Sequence, residues 1–301
     1  MRLAIAMVRK ISVILPAFNE AASIGGLIEG IRRMAEARQR TDLFEIVVVD
    51  DGSTDGTGET AARAGARVVH HPYNIGNGAA VKAGMRVAGG DLFVLMDADC
   101  QHRPEEIPML VDELGEHAMV VGARRRNGHA SLPRRMANAL YNRFASYVTG
   151  HRIPDLTSGF RVVRAGVAQR FLYLLPNTFS YPTTITLACF KTGLPVKYVP
   201  IEARKREGKS KIKVLKDGTR FLLIILKIAT FFSPFRVFFP LSLLSFLLGF
   251  GYYAYTLLTE HRFTNMAMML IVQGVILFAL ALISEQIAQL RFDRSERWGA
   301  P

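Results

Sequence analysis

The stretch FVLMDADCQH, from Phe93 to His102, runs from a short apolar segment into two aspartates that stand one residue apart. A continuous apolar run of this kind is typical of a strand that is buried on both faces of a parallel sheet. Two carboxylates as close as Asp97 and Asp99 repel each other and lose hydration unless a cation or several donors lie between them. The stretch therefore predicts a buried strand whose carboxyl end binds something positively charged.

The first half of the chain repeats this strand pattern and alternates it with helical segments. The other apolar runs are ISVILPAF, FEIVVVDDGS, ARVVHH and MVVGAR. Between them lie three segments with the spacing of helices and a length suited to crossovers: EAASIGGLIEGIRRMAEARQ, DGTGETAARAG and GNGAAVKAGMRVAG. The alternation predicts an α/β, doubly wound fold with a largely parallel sheet.

Polar side chains follow three of these strands. They are Asn19 and Glu20, Asp50 and Asp51, and Asp97 and Asp99. Ligands of open α/β sheets bind beyond the carboxyl ends of the strands, so we expect these residues to line one site.

The segment VVVDDGSTDGT closes the second predicted strand. Gly52 allows a tight turn, and residues 53–55 are suited to capping the next helix. Capping leaves the doubling of Asp50 and Asp51 without a reason, and hydrogen bonding to a nucleoside supplies one.

Asp97, Asp99 and Gln101 place three oxygen donors at alternate positions. Such donors favour Mg²⁺ or Mn²⁺ over zinc, and these ions commonly bridge carboxylates to substrate phosphates. The alternative is that the three side chains only cap a helix and hydrogen-bond within their loop. Their place at a strand end favours the metal site.

Two long apolar stretches, residues 235–258 and 266–283, follow near the end of the chain. Each approaches the roughly 20 apolar residues that span a bilayer. A pair of core helices is the alternative, but neither stretch has a polar face. Because the connection between them is short, we predict a transmembrane hairpin. Basic residues flank its outer ends and make that side cytoplasmic by the positive-inside rule: Lys227, Arg236, Arg291, Arg294 and Arg297.

The start of the chain, MRLAIAMVRK, has too short an apolar stretch for a secretory signal. We therefore expect a multi-pass protein of the cell (inner) membrane with its soluble domain in the cytoplasm. Cys100 and Cys189 form no disulfide pattern and are interpreted as packing residues. The predicted divisions are a globular domain over 1–212, an interfacial helix over 213–233, the hairpin over 234–290, with spans at about 235–258 and 266–288, and a cytoplasmic tail over 291–301.

The net charge of +13 is concentrated in two blocks. Residues 124–152 carry seven arginines and no acidic residue, and residues 204–236 carry ten basic residues against two acidic ones. Both blocks lie close to apolar, membrane-directed sequence and lack interleaved aromatic residues. The pattern argues against a nucleic-acid partner and favours anionic headgroups or a phosphorylated lipid.

Two segments within or beside these blocks are amphipathic. In PRRMANALYNRFASYVTG the basic and amide side chains oppose an apolar side, and VLKDGTRFLLIILKIATFF is strongly apolar apart from a few basic residues on one side. We predict that the second lies on the membrane surface. For the first, an interfacial helix and an ordinary surface helix stay open.

Six motifs occur here in an order that resembles glycosyltransferase family 2, and within it the polyprenyl-phosphate sugar transferases that include dolichol-phosphate mannose synthase. They are ISVILPAFNE, VVVDDGSTDGT, NIGNGAAVKAG, DADCQH, DLTSGFR and KREGKSK. The resemblance covers about residues 10–215. It implies a GT-A fold, a nucleotide-sugar donor, inversion, a divalent metal and a lipid phosphate acceptor.

Site residues follow from the resemblance one position at a time. Those matching the nucleoside-binding positions are Pro16, Phe18, Glu20 and Asp51. Those matching the metal site are Asp97, Asp99 and Gln101, with Ala98 alongside the donor. Those matching phosphate-binding positions are Arg124, with Arg125 as its close rival, and Arg204 and Ser210 around the GKSK loop. Phe18 stands where tyrosine is common and Asn77 where lysine often occurs, so the base, in a UDP- or GDP-linked hexose, stays open.

The chemistry of the acceptor follows from its charge. A phosphate monoester has a second pKa near 6, so at neutral pH it is already a nucleophile and needs no general base. It needs cations beside the donor diphosphate, and Lys211 and Arg134 are further candidates for that task. Three roles are open for Asp155. It could be a base that deprotonates the acceptor, or it could be part of a purely structural turn. We favour the third role, in which it positions an arginine or the acceptor.

Two other functions are weighed against this one. A processive polysaccharide synthase usually has more spans and a Q-x-x-R-W helix before them, whereas RSERW lies after the last span here. A non-catalytic nucleotide-sugar sensor or accessory subunit would be expected to lack a metal ligand or the GKSK loop, and none is missing. The sugar, the lipid length and the oligomeric state, a homo-oligomer included, are left open by the sequence.

Overall fold

The computed structural model describes residues 10–39, 41–124, 132–178, 180–202 and 230–297, with the backbone alone for 132–137 and 291–297. The chain divides into two compact units. The first comprises Met1–Arg143 and His151–Ile212, and the second Phe144–Gly150 and Lys213–Pro301. The predicted domain limits, and the predicted interfacial helix that falls mostly outside the described residues, stay predictions.

Seven strands form one sheet in the described part of the first unit. They are β1 (Ile11–Ala17), β2 (Phe44–Asp50), β3 (Arg67–His70), β4 (Leu92–Leu95), β5 (Met119–Arg124), β6 (Arg161–Arg164) and β7 (Val196–Ile201). Their order is β3-β2-β1-β4-β6-β5-β7, and β6 alone among them runs antiparallel to its neighbours. The predicted largely parallel sheet is confirmed, and its five predicted strands are β1 to β5.

Seven helices of the described residues accompany this sheet. They are α1 (Ala21–Ala37), α2 (Thr57–Arg63), α3 (Asn77–Val87), α4 (Ile107–Asp112), α5 (Leu132–Thr149), α6 (Ala165–Phe171) and α7 (Tyr181–Lys191). The three helices predicted between the first strands are α1, α2 and α3, and the first amphipathic segment is α5.

Both faces of the sheet are covered, as the continuous apolar runs require. On one face Val13 and Leu15 of β1 join the core that α1 and α4 complete. Helix α1 contributes Ile24, Leu27, Ile28 and Ile31, with helical spacing, to that core. On the other face Gly84 of α3 lies against Ile14, where a Cβ atom would collide with the isoleucine side chain.

The register of the parallel strands brings their carboxyl ends to one edge. Ala17 of β1 pairs with Asp50 of β2, and Ile14 pairs with Leu95 of β4. Residues that follow these strands therefore start from neighbouring positions on the sheet. The predicted site residues after β1, β2 and β4 share this edge.

Two long helices, α8 (Pro234–Glu260) and α9 (Asn265–Arg297), form a hairpin in the second unit. Their apolar windows have only 17% of residues buried, which is opposite to what a pair of core helices would show. Small residues mediate their packing: the Ser242 and Ser245 hydroxyls donate to the Gly274 and Leu270 carbonyls, each at 2.8 Å. By length and composition both helices are candidate membrane spans, and the predicted hairpin is confirmed.

Candidate active site

The two carboxylates that follow β4 are half-buried at the sheet edge. Asp97 Oδ1 lies 3.5 Å from the Asn77 side-chain nitrogen at the start of α3, and Asp99 Oδ1 accepts from the Gln101 amide at 3.2 Å. Cys100, between Asp99 and Gln101, adopts a left-handed backbone with φ 57° and directs its thiol to the Ser23 carbonyl at 3.8 Å. The turn thereby keeps sulfur off the carboxylates and leaves an oxygen-rich donor set.

This donor set fits a hard divalent cation. The described residues contain no group of three or more His, Cys, Asp or Glu side chains able to hold a metal ion. Within the described residues this edge of the sheet offers two carboxylates and one amide oxygen, which is too few for an all-protein cage. Mg²⁺ is commonly held by one or two carboxylates together with substrate phosphates, so Asp97, Asp99 and Gln101 fit an ion that arrives with a diphosphate.

Asp51, which follows β2, is buried and used by the protein itself. Its carboxylate accepts from the backbone amides of Ile75 at 3.1 Å and Gly76 at 2.8 Å, and lies 2.7 Å from His71 Nδ1. Asp50 is equally engaged, because it accepts from the Ser53 amide at 2.9 Å and lies 3.3 Å from His70. The doubled aspartates therefore have a structural reason, and the nucleoside contact expected for Asp51 stays a prediction.

The turn after β1 is fastened to the loop after β2 by four hydrogen bonds. Asn19, at φ 55°, accepts from the Thr54 amide with its side chain and donates its own amide to Ser53 Oγ, both at 3.0 Å. The amides of Glu20 and Ala21 donate to Thr57 and Asp55 side chains at 2.9 and 3.1 Å. Residues 53–57 thus hold the backbone beside Phe18 and Glu20. The N-cap of α2 is Gly56, which forms no side-chain cap hydrogen bond, and of the predicted capping residues Asp55 accepts from the Thr57 amide at 3.1 Å.

Ser23 links the predicted nucleoside side to the predicted metal side. Its hydroxyl lies 3.0 Å from Glu20 Oε2 and 3.2 Å from the carbonyl oxygen of Ala98. Pro16 is buried in β1, and Phe18 is half-buried just beyond it. The structure therefore brings Pro16, Phe18, Glu20 and Ala98 to the same edge, although what they bind stays a prediction.

Arg124, the last residue of β5, forms a bidentate ion pair with Asp155. Nε donates to Oδ2 at 2.8 Å and an Nη atom donates to Oδ1 at 2.9 Å, while the same Nη donates to Thr157 Oγ1 at 2.8 Å. Asp155 keeps 10% of its side-chain surface exposed and Arg124 keeps 35%. The carboxylate is thus covered, whereas the Arg124 side chain is partly exposed.

The opposite charges of Arg124 and Asp155 keep both groups ionised. Burial by itself would raise the pKa of the Asp155 carboxyl, but the hydrogen bonds and charge of Arg124 hold that pKa below its usual range. Burial by itself would lower the pKa of Arg124, yet Asp155, with Asp97 and Asp99, raises it. Asp155 is therefore an ionised partner of a permanent cation, an arrangement that suits positioning and opposes a role as proton acceptor.

Two residues near the site were not singled out from the sequence. Arg161 is fully buried and donates to the carbonyl oxygens of Ser158 and Pro182 and to Thr186 Oγ1, so it anchors the loop that contains Asp155. His102 is 4% exposed and stacks on Phe160 at 5.0 Å, and burial lowers its pKa to about 4. Arg161 ends DLTSGFR and His102 ends DADCQH, so their place in these motifs is the feature of the sequence that could have pointed to them.

Several predicted site residues fall outside the described part of the chain. They are Arg125, Arg204, Ser210 and Lys211. Arg134 lies in α5, where only the backbone is described. Their roles stay predictions.

Two family models match the chain. Residues 12–172, more than half of the chain, match Glycosyl transferase family 2, and residues 233–290 match the GtrB C-terminal hairpin.

Curated relatives match over different lengths. An undecaprenyl-phosphate 4-deoxy-4-formamido-L-arabinose transferase of Edwardsiella ictaluri is 30% identical over 300 residues, covering 94% of this chain and 90% of that relative. The transferase of the same name from Photorhabdus laumondii is 34% identical over 191 residues, covering 58% of each. The chain thus spans less than two thirds of the second relative's length.

Solved structures show the same fold at lower identity. Glucosyl-3-phosphoglycerate synthase from Mycobacterium tuberculosis, in complex with Mn²⁺, UDP and phosphoglyceric acid, matches with a TM-score of 0.60 and 22% identity, covering 75% of this chain and 80% of that chain. A complex of that synthase with Mn²⁺ and UDP-glucose matches with a TM-score of 0.59. At this identity the likeness concerns the fold.

Proposed function

The chain belongs to Glycosyl transferase family 2, and on that premise we propose that it transfers a hexose from a UDP- or GDP-linked donor to a polyprenyl phosphate, with inversion at the anomeric carbon. The glycosyltransferase class and the GT-A fold expected from the sequence are confirmed by the family and fold matches. What we propose beyond the family and the fold is the identity of the donor, the acceptor and the metal, and the side of the membrane on which transfer occurs.

The carboxyl edge of the sheet is the proposed donor site. Pro16, Phe18 and Glu20 would hold the nucleoside, and Asp51 would act chiefly by fixing the loop over residues 75–76 beside it. Asp97, Asp99 and Gln101 would hold Mg²⁺ or Mn²⁺ with the donor diphosphate. The ion supplies positive charge that stabilises the departing nucleoside diphosphate.

The observation that carries the acceptor assignment is the ion pair of Arg124 with Asp155. A hydroxyl acceptor needs a base, whereas the Asp155 carboxylate is covered, is bound at both oxygens by Arg124 and has a lowered pKa, so it is a weak proton acceptor. A phosphate acceptor is already anionic near neutral pH and needs a fixed cation instead. Arg124, held by Asp155 and partly exposed, supplies one.

The membrane hairpin supports a lipid acceptor. The relatives named above act, by their names, on undecaprenyl phosphate, and this chain matches the GtrB C-terminal hairpin over residues 233–290. A long polyprenyl chain stays in the bilayer, so its phosphate is reached only by an enzyme held at the membrane surface. Basic residues beside the outer helix ends favour the cytoplasmic side for this surface.

The test is transfer by the purified full-length chain in detergent or vesicles. The donor panel should include UDP- and GDP-hexoses and the nucleotide-linked form of the 4-deoxy-4-formamido-L-arabinose that occurs in the relatives' names. Undecaprenyl phosphate is the acceptor and undecaprenol the matched control without phosphate. We expect labelled sugar on the phosphate lipid alone, and only with divalent metal. Equal transfer to undecaprenol, or no transfer from any donor, would contradict the proposal.

A further inference from the structure

We propose that Asn142 is a positioning residue for Arg124, acting through the backbone that carries Asp155. The inference rests on the proposed function, in which Arg124 binds the acceptor phosphate. Asn142 lies on α5, between the basic start of that helix and its exposed aromatic end.

The side-chain amide of Asn142 bonds the peptide groups on both sides of Asp155. Its Nδ2 donates to the Pro154 carbonyl oxygen at 2.7 Å, and its Oδ1 accepts from the Leu156 amide at 3.1 Å. A primary amide carries one donor group and one acceptor side by side, which this pairing requires. An aspartate in the same place would accept from Leu156 but could not donate to Pro154 while ionised.

The clamp on the backbone sets the direction of the Asp155 side chain. Because the two peptide groups that flank residue 155 are held, its carboxylate is fixed where Arg124 meets it at 2.8 and 2.9 Å. The Thr157 amide, one residue beyond the clamp, donates to the same carboxylate at 3.2 Å. The planar guanidinium binds a carboxylate most strongly in a bidentate geometry, so a rotated Asp155 would shift Arg124 with it.

Helix α5 has an anchor in the same unit that does not depend on this clamp. Tyr141, next to Asn142, is 1% exposed and donates to Thr183 Oγ1 at 3.1 Å. Removal of the Asn142 amide therefore leaves the helix attached while releasing the loop over residues 154–156. The expected defect is misplacement of Arg124, and a displacement of about 1 Å at a reacting group is enough to slow catalysis about a hundredfold.

The first experiment compares Asn142→Ala with Asn138→Ala in the full-length protein. Asn138 is exposed one turn earlier on α5 and undergoes the same chemical change. We expect Asn142→Ala to lower kcat for sugar transfer roughly ten- to a hundredfold, with the donor KM within about twofold of the wild type and both variants melting alike. Asn142→Asp keeps the hydrogen bond from the Leu156 amide and loses the one to the Pro154 carbonyl, so its kcat should lie between that of the wild type and that of Asn142→Ala. A kcat for Asn142→Ala within twofold of Asn138→Ala would overturn the inference.

A double-mutant cycle with Arg124→Lys tests whether Asn142 acts on transfer through Arg124. If Asn142 acts through Arg124, Asn142→Ala should slow the Arg124→Lys enzyme by less than about threefold. An equal loss in both backgrounds would show that Asn142 acts elsewhere and would overturn the inference.

Amide hydrogen exchange separates this inference from the proposed function. A wild-type protein that transfers no sugar contradicts the proposed function. Exchange of the backbone amides of residues 155–157 then decides whether Asn142 clamps this loop. Exchange at least tenfold faster in Asn142→Ala than in Asn138→Ala supports it, and unchanged exchange overturns it.

Discussion

The backbone of Gly159 lies directly against the carboxylate of Asp97. A Cβ atom on residue 159 would be 2.9 Å from Asp97 Cγ and closer still to Oδ2, nearer than real Cβ atoms come to other groups. The loop after Asp155 passes the end of β4 at this distance only because residue 159 has no side chain. The motifs DLTSGFR and DADCQH, about sixty residues apart in the sequence, therefore form one site.

We predict that Gly159→Ala weakens metal activation more than it weakens the fold. The added methyl group should turn the Asp97 carboxylate away, because a short side chain yields more easily than the backbone of two elements. The metal concentration for half-maximal transfer should rise about tenfold or more. The control is Gly166→Ala in α6, where a Cβ meets nothing within 4 Å. An unchanged metal titration for Gly159→Ala would show that Asp97 is not a ligand.

We predict that Asp99→Asn abolishes metal-dependent transfer while the fold persists. Loss of one charged ligand weakens the ion and the diphosphate together. The measurement is turnover against Mg²⁺ and Mn²⁺ concentration, with Asp112→Asn, an exposed aspartate at the end of α4, as the control for charge. Near-normal turnover in saturating metal would argue against this site.

We predict a pH dependence of stability from the Arg124–Asp155 pair. The folded protein holds the pKa of Asp155 below its usual 3.8, so the pair stabilises the fold fully above the unfolded pKa. That contribution is lost as pH falls through the lower, folded value. The difference in melting temperature between wild type and Asp155→Asn should be constant from pH 7 to 5 and shrink below about pH 4. A difference that vanishes already near pH 6 would contradict the ionised pair.

We predict that Lys211→Ala depresses transfer much more than metal binding. The GKSK loop is expected to close over the donor diphosphate and the lipid phosphate, and a charge-assisted contact contributes roughly 1.5–3 kcal/mol. Transfer should slow about ten- to a hundredfold or more. Lys213→Ala, just beyond the motif, is the matched control. A wild-type rate with unchanged dependence on polyprenyl phosphate would show that the loop is only a basic membrane anchor.

The sheet could be predicted from the sequence where the strands contain a continuous apolar run, as in β1, β2 and β4. Strands β6 and β7 gave weaker signals because RVVR has an arginine at each end and VKYVPI contains a lysine and a proline. Arg161 is tolerated in a fully buried strand position because backbone carbonyls from the loop and from α7 accept hydrogen bonds from its two Nη atoms. No local pattern reveals partners that the chain supplies 21 residues later.

The sequence by itself determined the fold class, the membrane hairpin and the aspartates of the candidate site, because strand periodicity, long apolar runs and paired carboxylates are local properties. The tertiary structure decided which partners Asp51 and Asp155 bind. Asp51 holds a loop through backbone amides 24 and 25 residues away, and Asp155 is paired with an arginine 31 residues away. Such pairings depend on which elements the sheet order brings together, and a carboxylate becomes a ligand, a brace or a counter-ion according to the donors it meets there.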